Sequence, residues 1–251
     1  MYKLLPWRCS GSVLAVVVAL AVYADEFEVL TDIVLPNHLV VRYLPLILIT
    51  VLVVIFGPTG RWAPWRWIWR LLPFLNRFVF PDLNGVWLGD TRSNWPTIKK
   101  MLDAAQADHG ITQSELYATP EQADALAVEI KASLFKVQIT AGLSNTNGRS
   151  HSFIVRPRKD AQGNVHLTYV YAQDTPNPVS TDVETHLGAA DLEFELDDLE
   201  GAEGVYWTRR NWKTGFNTAG RLELRRIKAH KDKGKSLREY AAEERERITG
   251  S

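Results

Sequence analysis

Cysteine is nearly absent from the chain, because Cys9 is the only one among 251 residues. A single thiol excludes an intramolecular disulfide, a cysteine-based zinc site and a redox pair. An excess of charge of either sign is missing as well, since 29 basic residues balance 29 acidic ones. Such a balance is not typical of proteins that wrap long nucleic acid, so none is expected as a partner. A small anionic ligand remains compatible, since it needs only a few well-placed donors.

The signatures of common enzyme classes are also missing. Neither a G-x-S-x-G nucleophile turn nor a P-loop occurs anywhere in the sequence. The histidines of the second half do not show the H-E-x-x-H spacing of a zinc site; they are His151, His166, His186 and His230. The sequence therefore predicts a protein that is not an enzyme, with no catalytic residue, no metal and no cofactor.

Long apolar runs are confined to the N-terminal region, at residues 10–24 and 39–56. A helix rises about 1.5 Å per residue, so roughly 20 residues cross a bilayer core of about 30 Å. The two runs predict a pair of transmembrane helices within residues 1–57. A cleaved signal peptide is the alternative for the first run, because Val22-Tyr23-Ala24 before Asp25 resembles a signal-peptidase site.

The charges around these runs predict their orientation. The connection between them is acidic, with Asp25, Glu26, Glu28 and Asp32. Basic residues lie outside the pair, at Lys3 and Arg8 on one side and at Arg61, Arg66, Arg70 and Arg77 on the other. The positive-inside rule then puts both the N- and C-termini in the cytoplasm. We expect a multi-pass membrane protein with a large cytosolic portion.

Tryptophan and arginine crowd residues 58–81. A stripe of apolar residues falls at helical spacing there, made of Trp62, Trp65, Trp69 and Leu72. Tryptophan beside arginine favours the headgroup layer of a membrane, so this segment is predicted as an interfacial helix or linker. The alternative is a tryptophan-rich helix packed on a soluble domain.

From residue 82 onward the hydrophobic period changes to two, which is typical of strands. Eight candidate strands are separated by turns, at residues 83–90, 126–133, 134–141, 150–156, 165–172, 191–196, 205–210 and 221–226. Short strands without helices between most of them predict an antiparallel, all-β barrel of about eight strands over residues 82–228. The helix-leaning stretch 97–122 is predicted as an insertion, and residues 229–251 as a charged tail, either a solvated helix or disordered.

The last predicted hairpin carries the set of side chains best suited to a ligand. Tyr206, Thr208 and Arg210 alternate along one strand, so a ring, a hydroxyl and a guanidinium share one face. A closed barrel can aim such a face inward at a polar ligand. The alternative is that Arg210 pairs with a carboxylate or caps a tryptophan at the barrel rim.

Short motifs spread over residues 83–226 resemble one family. They are Leu83-Asn84-Gly85-Val86-Trp87-Leu88-Gly89 with Ser93, Val128-Glu129-Ile130-Lys131, Gly148-Arg149-Ser150-His151-Ser152, Leu167-Thr168-Tyr169-Val170-Tyr171, His186-Leu187-Gly188, and Gly204-Val205-Tyr206-Trp207-Thr208-Arg209-Arg210 with Gly220. In this order, behind a predicted transmembrane pair, they resemble the two-transmembrane, β-strand-rich (Cap15-type, S-2TMβ) effectors of bacterial CBASS anti-phage defence.

That resemblance implies a function. A minimal β-barrel would bind a cyclic nucleotide second messenger, a cyclic dinucleotide made by a partner CD-NTase (a cyclic-nucleotide synthase). Binding would drive homo-oligomer formation in the lipid bilayer of the bacterial inner membrane and disrupt it, causing abortive infection. The alternative function is a membrane-tethered, lipocalin-like barrel that binds a different small molecule.

A cyclic dinucleotide calls for aromatic rings to stack on its bases and arginine to hold its phosphates. The residues predicted to bind it are Arg210, Thr208, Tyr206, Tyr171, Tyr169, Ser150, Ser152, Arg149 and Trp87. For Trp87 there is a structural alternative, since barrels of this kind plug their closed end with a tryptophan under an arginine. Tyr169 and Tyr171 have the alternative of strand formers with outward hydroxyls.

Overall fold

The computed structural model of the chain describes residues 38–108, 110–178 and 183–249, with side chains described from residue 46 onward. The chain divides into two compact units, Met1–Phe80 with Ser133–Lys136, and Pro81–Ala132 with Val137–Ser251. The predicted first apolar run, 10–24, and the acidic connection after it lie outside the described residues.

Three helices form the described part of the first unit: α1 (His38–Phe56), α2 (Pro64–Leu71) and α3 (Phe74–Phe78). Helix α1 coincides with the second predicted apolar run. Pro64 opens α2 at a first-turn position, where its missing N–H costs no hydrogen bond. Within the described ranges, no helix combines the length and the apolar character needed to cross a membrane.

The tryptophan stripe of α2 is divided between the interior and the surface of the first unit. Trp65 and Trp69 are buried and pack edge to face, with ring centroids 5.3 Å apart. Their indole N–H groups donate to the carbonyls of Pro58 at 3.0 Å and Phe80 at 2.8 Å. Trp62, predicted on the same stripe, is 75% exposed. Trp65 and Trp69 are thus buried, whereas Trp62 lies outside α2 and is exposed; the interfacial helix or linker at 58–81 stays a prediction.

Eight strands of the second unit form a closed barrel in which sequence neighbours pair antiparallel and β1 closes on β8. The strands are β1 (Gly85–Ser93), β2 (Gln122–Ala132), β3 (Val137–Leu143), β4 (Arg149–Lys159), β5 (Val165–Asp174), β6 (Thr185–Phe194), β7 (Gly201–Arg209) and β8 (Ala219–Lys228). The predicted antiparallel, eight-stranded barrel is confirmed.

Two short helices lie between β1 and β2, in the stretch predicted as a helix-leaning insertion. They are α4 (Trp95–Gln106) and α5 (Gln113–Tyr117). A capping box starts α5, since the Thr112 side chain accepts from the Glu115 N–H and the Glu115 carboxylate accepts from the Thr112 N–H.

The C-terminal helix α6 (Leu237–Thr249) packs on the barrel rather than standing free in solvent. Tyr240 and Ala241 are fully buried against the outward side chains of β1 and β2, which are Val86, Leu88 and Ala127. This differs from the prediction of a solvated or disordered tail. The reason is that a few apolar residues at helical spacing among many charges are enough for one narrow buried face.

Candidate functional site

The barrel interior is divided by depth into a packed end and an open end. Along β5 the inward side chains run from Val165 and Leu167 to Tyr169, Tyr171 and Gln173, because strand residues alternate between faces. The first two lie in an apolar core, whereas the last three line a cavity. Alternation therefore determines which side chains of β5 point inward, and their position along the strand determines whether they lie in the apolar core or line the cavity.

Trp87 plugs the packed end. Its side chain is fully buried, its ring meets Phe194 edge to face at 5.1 Å, and its N–H donates to the Leu83 carbonyl at 3.2 Å. The Arg226 guanidinium lies 5.8 Å from the centre of the Trp87 ring, a cation–π contact. Trp87 was predicted among the ligand residues, but it does not line the cavity. The structure supports its alternative, structural role.

The open end holds a cavity of about 240 Å³. Six of the nine predicted ligand residues line it: Tyr169, Tyr171, Tyr206, Thr208, Arg210 and Ser150. Residues that the sequence analysis did not single out complete the lining, among them Thr91, Ser93, Trp95, Gln122, Asp124, Asn145, Thr146, Gln173 and Thr218. Whether these side chains contact a ligand stays a prediction.

Two further predicted residues lie away from the cavity lining. Arg149 is exposed and borders an outer groove beside α6, because its neighbour Ser150 takes the inward position of the strand. The hydroxyl of Ser152 accepts the backbone N–H of Ile139 at 2.9 Å, next to an irregularity in the pairing of β4 with β5. Ser152 thus bonds β4 to β3 instead of lining the cavity.

Two tyrosines form the aromatic wall. Tyr169 and Tyr171 are 6% and 8% exposed, and their ring centroids lie 5.9 Å apart at a tilt of 45°. Burial raises the pKa of both hydroxyls, and for Tyr171 the neighbouring Tyr206 adds to that rise while Arg210 opposes it. Both are therefore neutral rings at physiological pH. They supply faces for stacking and hydroxyls for hydrogen bonding, not charge.

The backbone around Arg210 is fixed by its neighbours on β7 and β8. The Thr208 hydroxyl lies 3.0 Å from that of Thr218 and accepts the Thr218 N–H at 3.0 Å. The Arg210 N–H donates to the side chain of Asn217 at 3.0 Å. These bonds join the two ends of the β7–β8 loop at the cavity wall and fix the backbone from which the Arg210 side chain projects.

Among the described residues, Arg210 and Asp124 are the two charged side chains of the cavity lining. Burial raises the pKa of the Asp124 carboxyl, against the opposing effects of a hydrogen bond from Gln122, the charge of Arg245, a hydrogen bond from Asn145 and the charge of Arg210. The Gln122 amide donates to this carboxyl at 2.8 Å. The cavity thus combines one cation, one anion and many neutral polar groups.

A cluster on the outer wall has the residue types of a divalent-metal site. The His166 Nε2 atom lies 3.5 Å from the Asp160 carboxylate and 4.0 Å from that of Glu193. Its Nδ1 atom lies 3.0 Å from Asp191, which also pairs with Arg158 at 2.9 Å. Hydrogen bonds and ion pairs among these five groups account for their proximity.

These features define a class: a small closed barrel with a plugged end and a polar, tyrosine-lined cavity suited to one small ligand. Residues 107–226, from the loop after α4 to most of β8, match a family model described as Cap15, cyclic dinucleotide receptor domain. The chain is also 27% identical, over 224 residues, to CD-NTase-associated protein 15 of Escherichia albertii, covering 89% of this chain and 97% of that protein. The predicted resemblance to the Cap15-type effectors is confirmed by both similarities.

Proposed function

We propose that this chain is a CBASS effector that binds a cyclic dinucleotide in the open end of its barrel. Binding drives self-association in the bacterial inner membrane and disrupts that membrane, which ends in abortive infection. The messenger comes from a partner CD-NTase. One observation carries the proposal: the cavity brings Tyr169, Tyr171, Tyr206 and Arg210 together inside the region that matches the receptor-domain family.

The aromatic wall provides the stacking part of such a site. Stacking of a base on an aromatic side chain contributes about 1–3 kcal/mol per base and tolerates any base. Tyr169 and Tyr171 are held in a tilted pair by burial, so little freedom is lost when a base lies against them. Their neutral hydroxyls do not repel a phosphate.

Arg210 provides the phosphate-binding part. A guanidinium donates two parallel hydrogen bonds to phosphate oxygens, and hydrogen bonds to charged groups contribute about 1.5–3 kcal/mol each. Asp124, on the same cavity, repels a phosphate and attracts an N–H or O–H donor. The dinucleotide therefore binds with a phosphate at Arg210 and a base edge or ribose hydroxyl at Asp124.

The size of the cavity determines how much of the ligand it encloses. A volume of about 240 Å³ lies just below the range of about 300–1,000 Å³ that is typical of sites for drug-sized ligands. One of the two nucleotides of the ligand occupies the cavity, and the other lies at its mouth, next to Trp95. The ring of Trp95 is itself supported edge to face by Phe216, with centroids 5.9 Å apart.

The membrane part of the proposal depends on the apolar runs at residues 10–24 and 39–56, with both termini cytoplasmic. Ligand binding shifts assembly only if the assembled form binds the messenger more tightly than the free form does. The second candidate function, a membrane-tethered barrel that carries a different, apolar small molecule, calls for an apolar interior. The charged side chains of Arg210 and Asp124 on the cavity lining argue against it.

The test is thermal unfolding of the full-length chain with cyclic di-AMP, cyclic di-GMP, cyclic GMP–AMP or cyclic tri-AMP. A nucleotide at a hundred times its Kd stabilises the barrel by about 2.7 kcal/mol. At roughly 2–4 °C per kcal/mol for a chain of this size, the melting temperature rises by about 5–11 °C.

Two arginine variants make the result specific. Arg210→Ala should weaken binding by at least roughly 10- to 150-fold, the equivalent of one lost charge-assisted hydrogen bond. Arg149→Ala is the matched control, because Arg149 is exposed on the outer wall, and it should leave the shift unchanged. A folded chain that shifts with none of the four nucleotides would favour the second candidate function.

A further inference from the structure

The described residues cover the outer wall of the barrel on one side and leave the opposite side exposed. On β1 and β2 the outward apolar side chains are buried by α6, with Tyr240 and Ala241 against Val86 and Leu88. On the opposite wall the outward side chains of β4 to β7 include apolar residues that are about half exposed. They are Ile154 at 41%, Leu187 at 41%, Val205 at 50% and Trp207 at 50%.

Strand pairing joins these exposed residues into one continuous patch. A single row crosses five strands through directly paired residues, in the order Ile154, Val170, Ala189, Trp207 and Ala219. Leu187 lies on one side of this row and Val205 on the other. An exposed apolar patch of this kind is typical of an interaction surface. We call it the β4–β8 face.

On strand β7 the two ends of the β4–β8 face carry opposite charges, although Arg158 and His166 lie farther along the same strand row as Glu203. Along β7 the outward residues run Glu203, Val205, Trp207, Arg209. Glu203 lies between Glu193 and Glu223, its direct partners on β6 and β8. Like charges in directly opposite positions destabilise a sheet. A cation brought over Glu203 from outside would relieve this repulsion.

We infer that the β4–β8 face binds the same face of a second copy of this chain, with the two β7 strands antiparallel across the interface. This arrangement puts Arg209 of each copy over Glu203 of the other and buries Val205 and Trp207 between them. It is an isologous, self-complementary contact around a two-fold axis. An anionic lipid surface fits less well, because Glu203 and its acidic neighbours would face it.

The inference adds a contact surface to the assembly step of the proposed function, on which it rests. Neighbouring strands lie about 4.8 Å apart and residues rise about 3.4 Å along a strand, so the face covers on the order of 400 Å² per copy. Stable complexes bury about 800 Å² per partner. The contact is therefore weak on its own and becomes populated when copies are concentrated in a membrane.

Cross-linking through the centre of the face tests this contact. The proposed axis crosses β7 between Val205 and Trp207, and Ala189 is the direct partner of Trp207 on β6, so it lies near its own copy, with sheets about 10 Å apart. The full-length Cys9→Ser, Ala189→Cys chain in lipid vesicles is treated with a short bis-maleimide, with and without the four cyclic nucleotides. Cross-linked dimer should form at least tenfold more than from the Cys9→Ser, Lys99→Cys control, whose cysteine is on exposed α4.

Charge variants decide whether the predicted geometry is right. Glu203→Arg or Arg209→Glu alone, in the Ala189→Cys chain, should lose most of the cross-linked dimer, because like charges then meet. A mixture of the two variants should recover it, because every Arg–Glu pair is restored between unlike copies. Equal cross-linking of the mixture and of each variant alone would overturn the inference.

The same experiment separates this inference from the proposed function. The chain could bind a nucleotide and assemble in vesicles but give no more cross-linked dimer through position 189 than through position 99. That result would refute the β4–β8 face as the contact between copies and leave the proposed function unaffected. A chain that cross-links through position 189 but shows no thermal shift with any nucleotide supports the face and contradicts the function.

Discussion

Gly188 makes room for the tyrosine that forms the cavity wall, so Gly188→Ala is expected to damage both stability and binding. Gly188 on β6 pairs directly with Tyr171 on β5. A Cβ atom on Gly188 would lie 2.3 Å from Cζ and 2.4 Å from the hydroxyl of Tyr171, well inside any normal contact. Tyr171 is 8% exposed and has Tyr169 beside it, so the ring cannot swing away freely.

The expected magnitude follows from the cost of overpacking. Adding a methyl group to a filled interior destabilises a protein by about 1–3 kcal/mol. The melting temperature of the full-length chain should then fall by roughly 2–12 °C. Gly201→Ala is the matched control, because the nearest atom to its added Cβ, on Asp198, lies at an ordinary 3.5 Å. That variant should be neutral within about 0.5 kcal/mol.

A double-mutant cycle identifies the cause. Tyr171→Leu removes the end of the ring that the new methyl group meets, so the Gly188→Ala substitution should cost less in that background. The free energies of unfolding from urea titrations should be non-additive by at least 0.5 kcal/mol, as for residues in contact. Additive effects, or a Gly188→Ala chain as stable as Gly201→Ala, would refute the steric reasoning.

Three further predictions concern stability. Thr208→Val leaves the buried Thr218 N–H without its acceptor and should cost about 1–3 kcal/mol in urea unfolding. Tyr240→Ala opens a cavity between α6 and the barrel and should cost about 3–5 kcal/mol, measured in the same way. Burial raises the pKa of Asp124 in the folded chain. The protonated carboxyl therefore favours folding below the unfolded pKa of about 4, and this contribution to stability is lost as the pH rises through the folded pKa. Asp124→Asn should therefore gain stability over the parent between pH 4 and pH 7, and a constant difference across that range would contradict the assignment.

The period-two pattern was sufficient to predict the number of strands and the faces of β5 and β7. Alternation predicted that Tyr169 shares a face with Tyr171 and that Tyr206 shares one with Arg210, and in the structure both faces line the cavity. Alternation does not give the depth of a residue along the barrel axis. Trp87 shares the inward face of β1 with the cavity residue Thr91, yet lies in the packed end.

Other parts of the site were missed because strand boundaries are weakly encoded. Strand β2 was predicted to begin at residue 126, which left Gln122 and Asp124 in the insertion, but it begins at Gln122. Strand β6 was predicted from residue 191 and begins at Thr185. Its first half contains Gly188, a residue type that is rare in strands, and its pairing depends on the neighbouring strands rather than on local preference.

The packing of α6 is the feature furthest from the prediction. Charged residues dominate this segment, and charge-rich composition favours a solvated or disordered tail. Its buried face depends on an outward apolar patch that β1 and β2 present together. That patch exists only after the barrel has closed, so local sequence did not reveal it.

Strand β6 connects the cavity to the β4–β8 face, which offers a route from ligand to assembly. Gly188 faces inward against Tyr171, and its neighbours Leu187 and Ala189 face outward on the proposed contact. In the proposed complex, a base stacked on Tyr171 would press the ring toward this strand. The ligand favours assembly only if two copies in contact through the β4–β8 face hold Tyr171 in the position that the ligand prefers.

The prediction that follows concerns cross-linking rather than stability. In the Cys9→Ser, Ala189→Cys chain, the nucleotide with the largest thermal shift should raise the fraction of cross-linked dimer. Adding Gly188→Ala should abolish that rise while the weaker dimer formed without nucleotide remains, because residue 188 does not touch the second copy. The measurement is the cross-linked fraction against nucleotide concentration, with the Gly201→Ala chain as the control. If the rise persists in a Gly188→Ala chain that still binds the nucleotide, coupling between cavity and face does not run through Tyr171 and β6.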